Sequence, residues 1–459
     1  MLNVKINGRN FSAENGDLLS DILIKNGISH EHICNGKGIC KKCTLLVNGK
    51  EELSCRYSIQ SDINVTTPEK GTISSFTGAE ETEKPSENMC FVLDIGTTTL
   101  ALCLVSLDEK KIIRSTSRTN PQRIFGADVI ARIDYCKNNG TENLQKVLIE
   151  EINGMIDEIA VDCVHTLFVA GNTTMLHLFF GVDCSEIGVY PYTPAFLESK
   201  KIISDKIHGI TEIISLPCID TFAGADVVAG LNFAETPDNG KYNLLIDLGT
   251  NAEIALFSKE KTLCTSAAAG PCFEGANITC GMSATDGAIF SYGKGKIATV
   301  KNTAPKGICA TGLIDIIAEL LADGIIDNTG FLESGEFLVT EDVFITQNDI
   351  QQYLLAKSAV YSAICSLMKS ADIEYDDIDK MYISGGFSSE ININNAVSTG
   401  LIPCELKEKF IPVNNSSLLG AVKFVCENNN LKSITEKAEY TDLSSDKYFS
   451  EKFIENMRF

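Results

Sequence analysis

The chain has 459 residues, 44% of them hydrophobic and 22% charged, a globular composition long enough for two or three compact units. A net charge of −22 and a pI of about 4.7 exclude a sequence-wide basic field able to hold a phosphate backbone or an anionic membrane, so neither nucleic acid nor a lipid surface is an expected partner. No apolar run approaches the roughly 18 residues that span a bilayer, and the N-terminus has no cleavable apolar segment, so a cytoplasmic protein is expected.

In chain order, residues 2–6 alternate polar and apolar, Asn7-Gly8 supplies a tight turn and 10–12 return, which predicts a hairpin. Residues 17–25 read as a short helix with Leu18, Leu19, Ile22 and Leu23 on one face. Asn48-Gly49 predicts a second hairpin between 44–47 and 52–55. Hairpin, helix and hairpin within residues 1–67 fit a β-grasp, ferredoxin-like α+β domain. That stretch carries eight Lys/Arg against seven Asp/Glu, so the acidity belongs to the remainder.

Seventeen cysteines are an odd number for a disulfide scaffold, and thirteen lie scattered in apolar contexts such as Cys103, Cys163 and Cys365, as small buried residues of a reducing compartment do. The other four form the pattern C-x5-C-x2-C-x11-C: Cys34, Cys40, Cys43 and Cys55. Three thiolates in one loop with Gly36 and Gly38, plus a fourth from the second hairpin, suit a [2Fe–2S] cluster in a spacing near that of plant-type ferredoxins. A structural zinc site is the rival, but zinc sites usually show two C-x2-C knuckles and only Cys40 and Cys43 make one. Lys37, Lys41 and Lys42 rim the loop, either as a dock for an acidic electron donor or as a solvated face.

Residues 68–88 are polar and rich in Glu, Ser, Thr and Gly, a linker whose coil would span about 25 Å. Beyond it, Cys90 to Asp94 reads as a buried strand ending in the turn Asp94-Ile-Gly96-Thr97-Thr98-Thr99. A near copy recurs as Leu244 to Asp247 followed by Leu-Gly249-Thr250-Asn251. Each copy is followed by strand-like and later helical sequence, an internal duplication that divides the large domain into 89–240 and 241–435, with a tail at 436–459. Helices are predicted at 127–136, 144–160, 312–322 and 350–370, and a strand at 381–384 ahead of Gly385-Gly386. The expected architecture is two α/β halves facing a cleft.

The two aspartates are placed to hold hydrated Mg²⁺ and to orient an attacking water, and the glycines and hydroxyls of Gly96, Thr97, Thr98, Gly249, Thr250 and Asn251 let backbone approach phosphate. Gly385-Gly386 would lie against base and ribose. Asn172 and Thr173, in a further strand-to-helix turn, either contact the γ-phosphate or cap the helix that follows, and Glu274 is a candidate ribose contact.

The ordered triple of Asp94, Asp247 and Gly385-Gly386 turns resembles the phosphate-1, phosphate-2 and adenosine motifs of the acetate and sugar kinase, Hsp70 and actin superfamily, which implies a duplicated RNase H-like fold binding ATP and Mg²⁺. A C-x5-C-x2-C module on such a domain is similar to the reductive activators of corrinoid proteins. The stretches from Asn120 to Asp128, Gly171 to Met175, Thr221 to Asp226 and Gly270 to Gly275, and the tail from Asp442 to Phe459, share that resemblance. Departures are Ser283 where arginine is expected, Ala310-Thr311 in place of Gly-Ser, and a linker with no room for the middle domain that many family members carry.

The resemblance implies ATP-dependent return of Co(II) corrinoid to Co(I), a corrinoid protein of a methyltransferase system as partner, and a low-potential donor such as a ferredoxin or flavodoxin; a homodimer is compatible with it. Two other activities fit the same motifs: a metabolite kinase with a regulatory cluster, and a nucleotide-gated electron-transfer partner with little hydrolysis.

Overall fold

A computed structural model describes residues 1–26, 28, 38, 43–67, 88–159, 164–386 and 388–459. Cys34, Cys40, Gly36, the three rim lysines, Cys163 and linker residues 68–87 lie outside the described residues.

The N-terminal unit is a mixed sheet built from two hairpins and a fifth strand. β1 (Leu2–Ile6) and β2 (Arg9–Ala13) are followed by α1 (Leu19–Lys25), then β3 (Thr44–Val47), β4 (Lys50–Leu53) and β5 (Ile63–Thr66). Asn7 and Gly8 have φ of 46° and 87°, and Asn48 and Gly49 have 49° and 79°. Positive φ at both central residues gives the mirror-image turn whose twist matches the strands it joins. β5 enters between β1 and β3, giving the order β2-β1-β5-β3-β4 of a β-grasp sheet. Because the second turn has only two residues, β4 opens at Lys50 opposite Val47, and Cys55 falls in the turn after the strand.

In the large part, β6 (Met89–Ile95), β7 (Thr99–Ser106) and β8 (Lys111–Thr119) form an antiparallel meander, followed by α2 (Val129–Asn139) and α3 (Glu142–Ile159). β9 (Thr166–Gly171) then pairs parallel with β6, α4 (Thr173–Phe180) follows, β10 (Lys201–Ile203) and β11 (Glu212–Ser215) extend the sheet, and α5 (Ala225–Phe233) leads out.

The second half repeats the scheme with β12 (Tyr242–Leu248), β13 (Ala252–Phe257) and β14 (Thr262–Ala267). A small sheet of β15 (Ala288–Gly293), β16 (Lys296–Thr299) and β17 (Gly307–Ile308) precedes α6 (Ala310–Ala322). The pair β18 (Glu336–Leu338) and β19 (Phe344–Thr346) precedes α7 (Gln347–Ala371). β20 (Ile378–Ser384) pairs parallel with β12, as β9 does with β6. The chain finishes with α8 (Ile393–Ser398), β21 (Phe410–Val413), α9 (Ser416–Glu427), α10 (Lys432–Thr435), β22 (Ala438–Tyr440) and α11 (Lys447–Glu455). The two large sheets, β10-β11-β9-β6-β7-β8 and β21-β20-β12-β13-β14-β22, thus share a five-strand pattern, the structural counterpart of the repeated aspartate turn.

Local sequence explains the helix ends. Asp128 caps α2 through the Ala131 N–H at 2.7 Å, so the helix starts two residues later than predicted. Thr346 and Asp349 form a capping box that starts α7 three residues earlier. Leu144, Leu148, Ile152, Met155 and Ile159 line the buried stripe of α3. Among the described scattered cysteines all but Cys280, Cys404 and Cys426 are buried, as packing residues should be. No described helix is long and apolar enough to cross a membrane.

α5 and α9 cross between the two sheets, and their contact is made by glycine. A Cβ added at Gly420 would lie 1.7 Å from the Ala229 carbonyl oxygen, and one at Gly230 would lie 2.8 Å from Leu245. The backbone oxygen cannot yield without bending α5, so Gly420→Ala is expected to cost about 3 kcal/mol or more, read as a lower denaturant midpoint with an unchanged slope.

Candidate functional site

Both aspartate turns open onto one cleft of about 550 Å³ between the halves. Asp94 stands near the end of β6 opposite Ala170 of β9, and Asp247 near the end of β12 opposite Ser384 of β20, so the duplication aims two carboxylates into the same space. Every predicted nucleotide-site residue lines this cleft except Thr173. Thr173 is the first residue of α4 and its hydroxyl donates to the Asp220 carbonyl at 2.8 Å, so it braces the neighbouring loop. Asn172 caps α4 through the Met175 N–H at 2.9 Å, while its amide donates to the Thr97 hydroxyl at 3.1 Å. Gly385 has φ +126° and a Cβ there would meet the Leu248 carbonyl oxygen at 2.6 Å, which leaves glycine as the residue that fits.

Four residues that sequence reasoning did not assign complete the carboxylate site. Asn415 Nδ2 donates to Asp94 at 2.9 Å and the Ser417 hydroxyl at 2.7 Å. Asp247 accepts longer bonds from the Ser384 and Ser416 hydroxyls, at 3.3 and 3.4 Å. Asn415 also caps α9 through the Leu418 N–H at 2.7 Å, so its sequence signal is that of an ordinary helix start. Asp226, at the start of α5, and Glu253, on β13, line the same cleft.

Burial and mutual repulsion dominate the electrostatics. Burial raises the pKa of Asp94, opposed by its bonds from Asn415 and Ser417. Burial and the Asp94 charge push Asp247 up to about 6. Burial, with Asp94 and Asp247 nearby, pushes Asp226 up to about 7. Burial, with the charges of Asp226 and Asp247 nearby, raises Glu253 well above the ordinary carboxylate range. Four carboxyl groups facing one another call for a cation. No three metal-ligating side chains among the described residues converge closely enough to hold an ion alone. A Mg²⁺ ion takes one or two carboxylates and completes its shell with water and phosphate oxygens.

Glu274 lies at the phosphate turns. Its Oε2 accepts from the Thr98 and Thr250 hydroxyls, both at 2.7 Å, and so joins the two halves. Ser283 also lines the cleft, as do Ala310 and Thr311 at the start of α6, where the Thr311 hydroxyl donates to the Phe290 carbonyl at 2.7 Å.

In the N-terminal unit, Cys43 and Cys55 are buried with their sulfur atoms 3.3 Å apart and unlinked, close enough for one metal ion to bind both. Gly38, at the other end of the loop, has φ +71°. The described half of the ligand set therefore fits a thiolate-held metal group.

The duplicated sheets and their paired aspartate turns define a nucleotide-binding protein of the ASKHA class, the fold of actin, Hsp70 and the sugar kinases. Residues 241–459 match the family profile described as the C-terminal domain of RACo, the ASKHA domain, and residues 89–237 match the RACo middle region. The corrinoid activation enzyme RamQ of Eubacterium limosum is 28% identical over 580 aligned positions covering 96% of each chain. The [Co(II) methylated amine-specific corrinoid protein] reductase of Methanosarcina barkeri is 27% identical over 388 positions, 76% of this chain and 72% of the relative. A solved structure of a reductive activator for corrinoid,iron-sulfur protein, 25% identical, superposes over 100% of this chain and 98% of its own with a TM-score of 0.74. The chain belongs to the RACo family, the reductive activators of corrinoid proteins.

The alignment with RamQ has more positions than this chain has residues, so that relative carries internal segments absent here. The region the family calls middle falls on 89–237, after the linker and within the span read above as the first half of the large domain.

Proposed function

We propose that the protein binds ATP with Mg²⁺ in the interdomain cleft and uses its hydrolysis to drive one-electron reduction of a corrinoid protein from Co(II) to Co(I). The electron would come from a [2Fe–2S] cluster held by Cys34, Cys40, Cys43 and Cys55. The observation that carries this reading is the end-to-end similarity to a solved reductive activator, supported by a cleft whose carboxylates suit a metal-bound triphosphate.

Asp94 and Asp247 would hold the divalent ion, and the serine and asparagine bonds from the start of α9 fix their rotamers beforehand, so little reorganisation would be needed when charge develops. The amides of Thr97, Thr98 and Thr250 and the Thr97 hydroxyl would receive phosphate oxygens, while the Thr98 and Thr250 hydroxyls stay on Glu274. Asp226 has a proton affinity suited to accepting a proton near neutral pH. Gly385 and Gly386 allow base and ribose to lie against backbone. When bound, the cluster supplies a single electron at low potential, near about −400 mV if it behaves as a plant-type centre. The chain's part is to supply thiolates, two of which are already adjacent in a buried pocket.

The partner is a corrinoid protein, and the donor that recharges the cluster is a ferredoxin or flavodoxin of low potential. The test is anaerobic mixing of the reduced protein with a Co(II) corrinoid protein, with and without MgATP. Co(I) absorbance that grows only with ATP is expected. Phosphate transfer to an added small molecule, with no cobalt reduction, would replace this reading by a kinase.

A further inference from the structure

Three consecutive carbonyls of the first aspartate turn are held by two buried residues, two of them by side chains and one by a backbone N–H. Gly96 O accepts from Asn120 Nδ2 at 2.8 Å, Thr97 O from a terminal guanidinium nitrogen of Arg132 at 2.5 Å, and Thr98 O from the Asn120 N–H at 2.8 Å. Asn120 and Arg132 are both 0% exposed and neither lines the cleft, whereas Thr97 and Thr98 do. A planar trans peptide that sends its C=O one way sends the next N–H the other. The brace therefore turns the Thr97 and Thr98 N–H groups toward the cleft, and neither has an acceptor among the described residues. Two successive outward amides make an anion-binding concavity.

Among the described residues no carboxylate bonds to Arg132, although the charges of Asp128 and Glu274 act on it from a distance. Its other bonds go to Gly126 O at 3.0 Å, Gln122 Oε1 at 3.4 Å and Met175 Sδ at 3.1 Å, all neutral. A fully buried guanidinium with no counterion in contact is expensive, and an anion arriving at the turn would offset part of that cost. One anion already stands on the far side of the turn: the Glu274 carboxylate, bonded to the Thr98 and Thr250 hydroxyls.

We propose that Arg132, with Asn120, is the phosphate-positioning residue of this site: from beneath the turn it fixes the amides toward the terminal phosphates and supplies the positive charge that makes the cleft prefer a nucleoside triphosphate. The inference rests on the nucleotide reading of the cleft and is independent of the corrinoid partner. It gives a role to the motif from Asn120 to Asp128, which leads into α2 and Arg132, and a further one to Met175 at the end of the stretch from Gly171.

The test measures binding of MgATP, MgADP and AMP to the full chain by calorimetry, with thermal midpoints recorded alongside. Arg132→Met, similar in length and apolar, is expected to weaken MgATP about tenfold or more and AMP by less than about threefold, the loss of one charge-assisted contact. The ATP-to-AMP ratio therefore collapses. Arg132→Lys, which keeps the charge without the fork, recovers part of that ratio. A ratio equal to wild type in Arg132→Met, whatever its thermal shift, overturns the proposal and leaves Arg132 a packing residue. Should that variant not fold, an unchanged ratio in both Arg132→Lys and Asn120→Ser overturns it equally. Wild-type protein that binds none of the three nucleotides would remove the nucleotide reading itself, and this proposal with it.

Discussion

Asp247→Asn is expected to lower ATP hydrolysis by about a thousandfold while raising the thermal midpoint of the ligand-free protein at about pH 8. The activity loss follows from removing the charge proposed to hold the metal in one half of the cleft. The gain in stability follows from linkage. Burial and Asp94 lift the folded pKa of Asp247 to about 6 from the ordinary aspartate value. Its folded form thus holds a proton that the unfolded chain has released, and the associated stability is complete below about pH 4 and lost as pH rises through about 6. The variant has no such proton to lose, so the two midpoints should lie close together at about pH 4.5 and part by a few degrees at about pH 8. Equal midpoints across that range would show that Asp247 is not held against its own charge. Saturating Mg²⁺ and ATP should narrow the gap by stabilising wild type alone.

Cys55→Ser is expected to abolish ATP-dependent cobalt reduction and most of the iron-associated visible absorbance, with basal ATP hydrolysis within about twofold of wild type. Cys55 lies in the turn after β4 with its sulfur 3.3 Å from that of Cys43, so serine would remove one of two thiols already adjacent. The aspartate turns belong to two other sheets, each with its own core, which is why hydrolysis should survive. Iron and sulfide content, absorbance and phosphate release from one preparation decide the matter. Retained iron with intact reduction would remove Cys55 from the ligand set. Stoichiometric zinc in anaerobically prepared wild type would change the metal.

The parts of this fold that were legible in the sequence are those specified locally. The Asn7-Gly8 and Asn48-Gly49 turns, the apolar stripe of α3 and the acidic glycine turns after β6 and β12 each declare themselves within a few residues. What was not legible is assembled by the fold. Asn415, Ser416 and Ser417 read as a helix cap, and in space they reach two aspartates on different sheets. Arg132 reads as a polar residue on an amphipathic helix, yet it is buried under a turn that precedes it by more than 30 positions. Thr173 shows the converse, a hydroxyl next to a motif that turns away from the cleft. Asp226 was visible only as part of a familiar stretch. The close contacts of Gly224 with Asn172 and Thr173 show why small residues precede it there: a Cβ on Gly224 would sit 2.5 Å from the Asn172 Cα.

The first turn of α9 touches Asp94 through Asn415 and Ser417 and Asp247 through Ser416, so one short stretch answers to both copies of the repeat. Duplicated halves normally drift apart, each free to accumulate changes that suit its own neighbours. Here they share a dependent. A substitution at 416 disturbs the contact with Asp247, and a change at 415 or 417 disturbs that with Asp94, while Gly420 in the same helix leaves no room for a larger side chain. Inheritance along this lineage should therefore show the two aspartate turns and the start of α9 changing together or not at all, with far looser sequence in the outer strands β10 and β22, which touch neither turn.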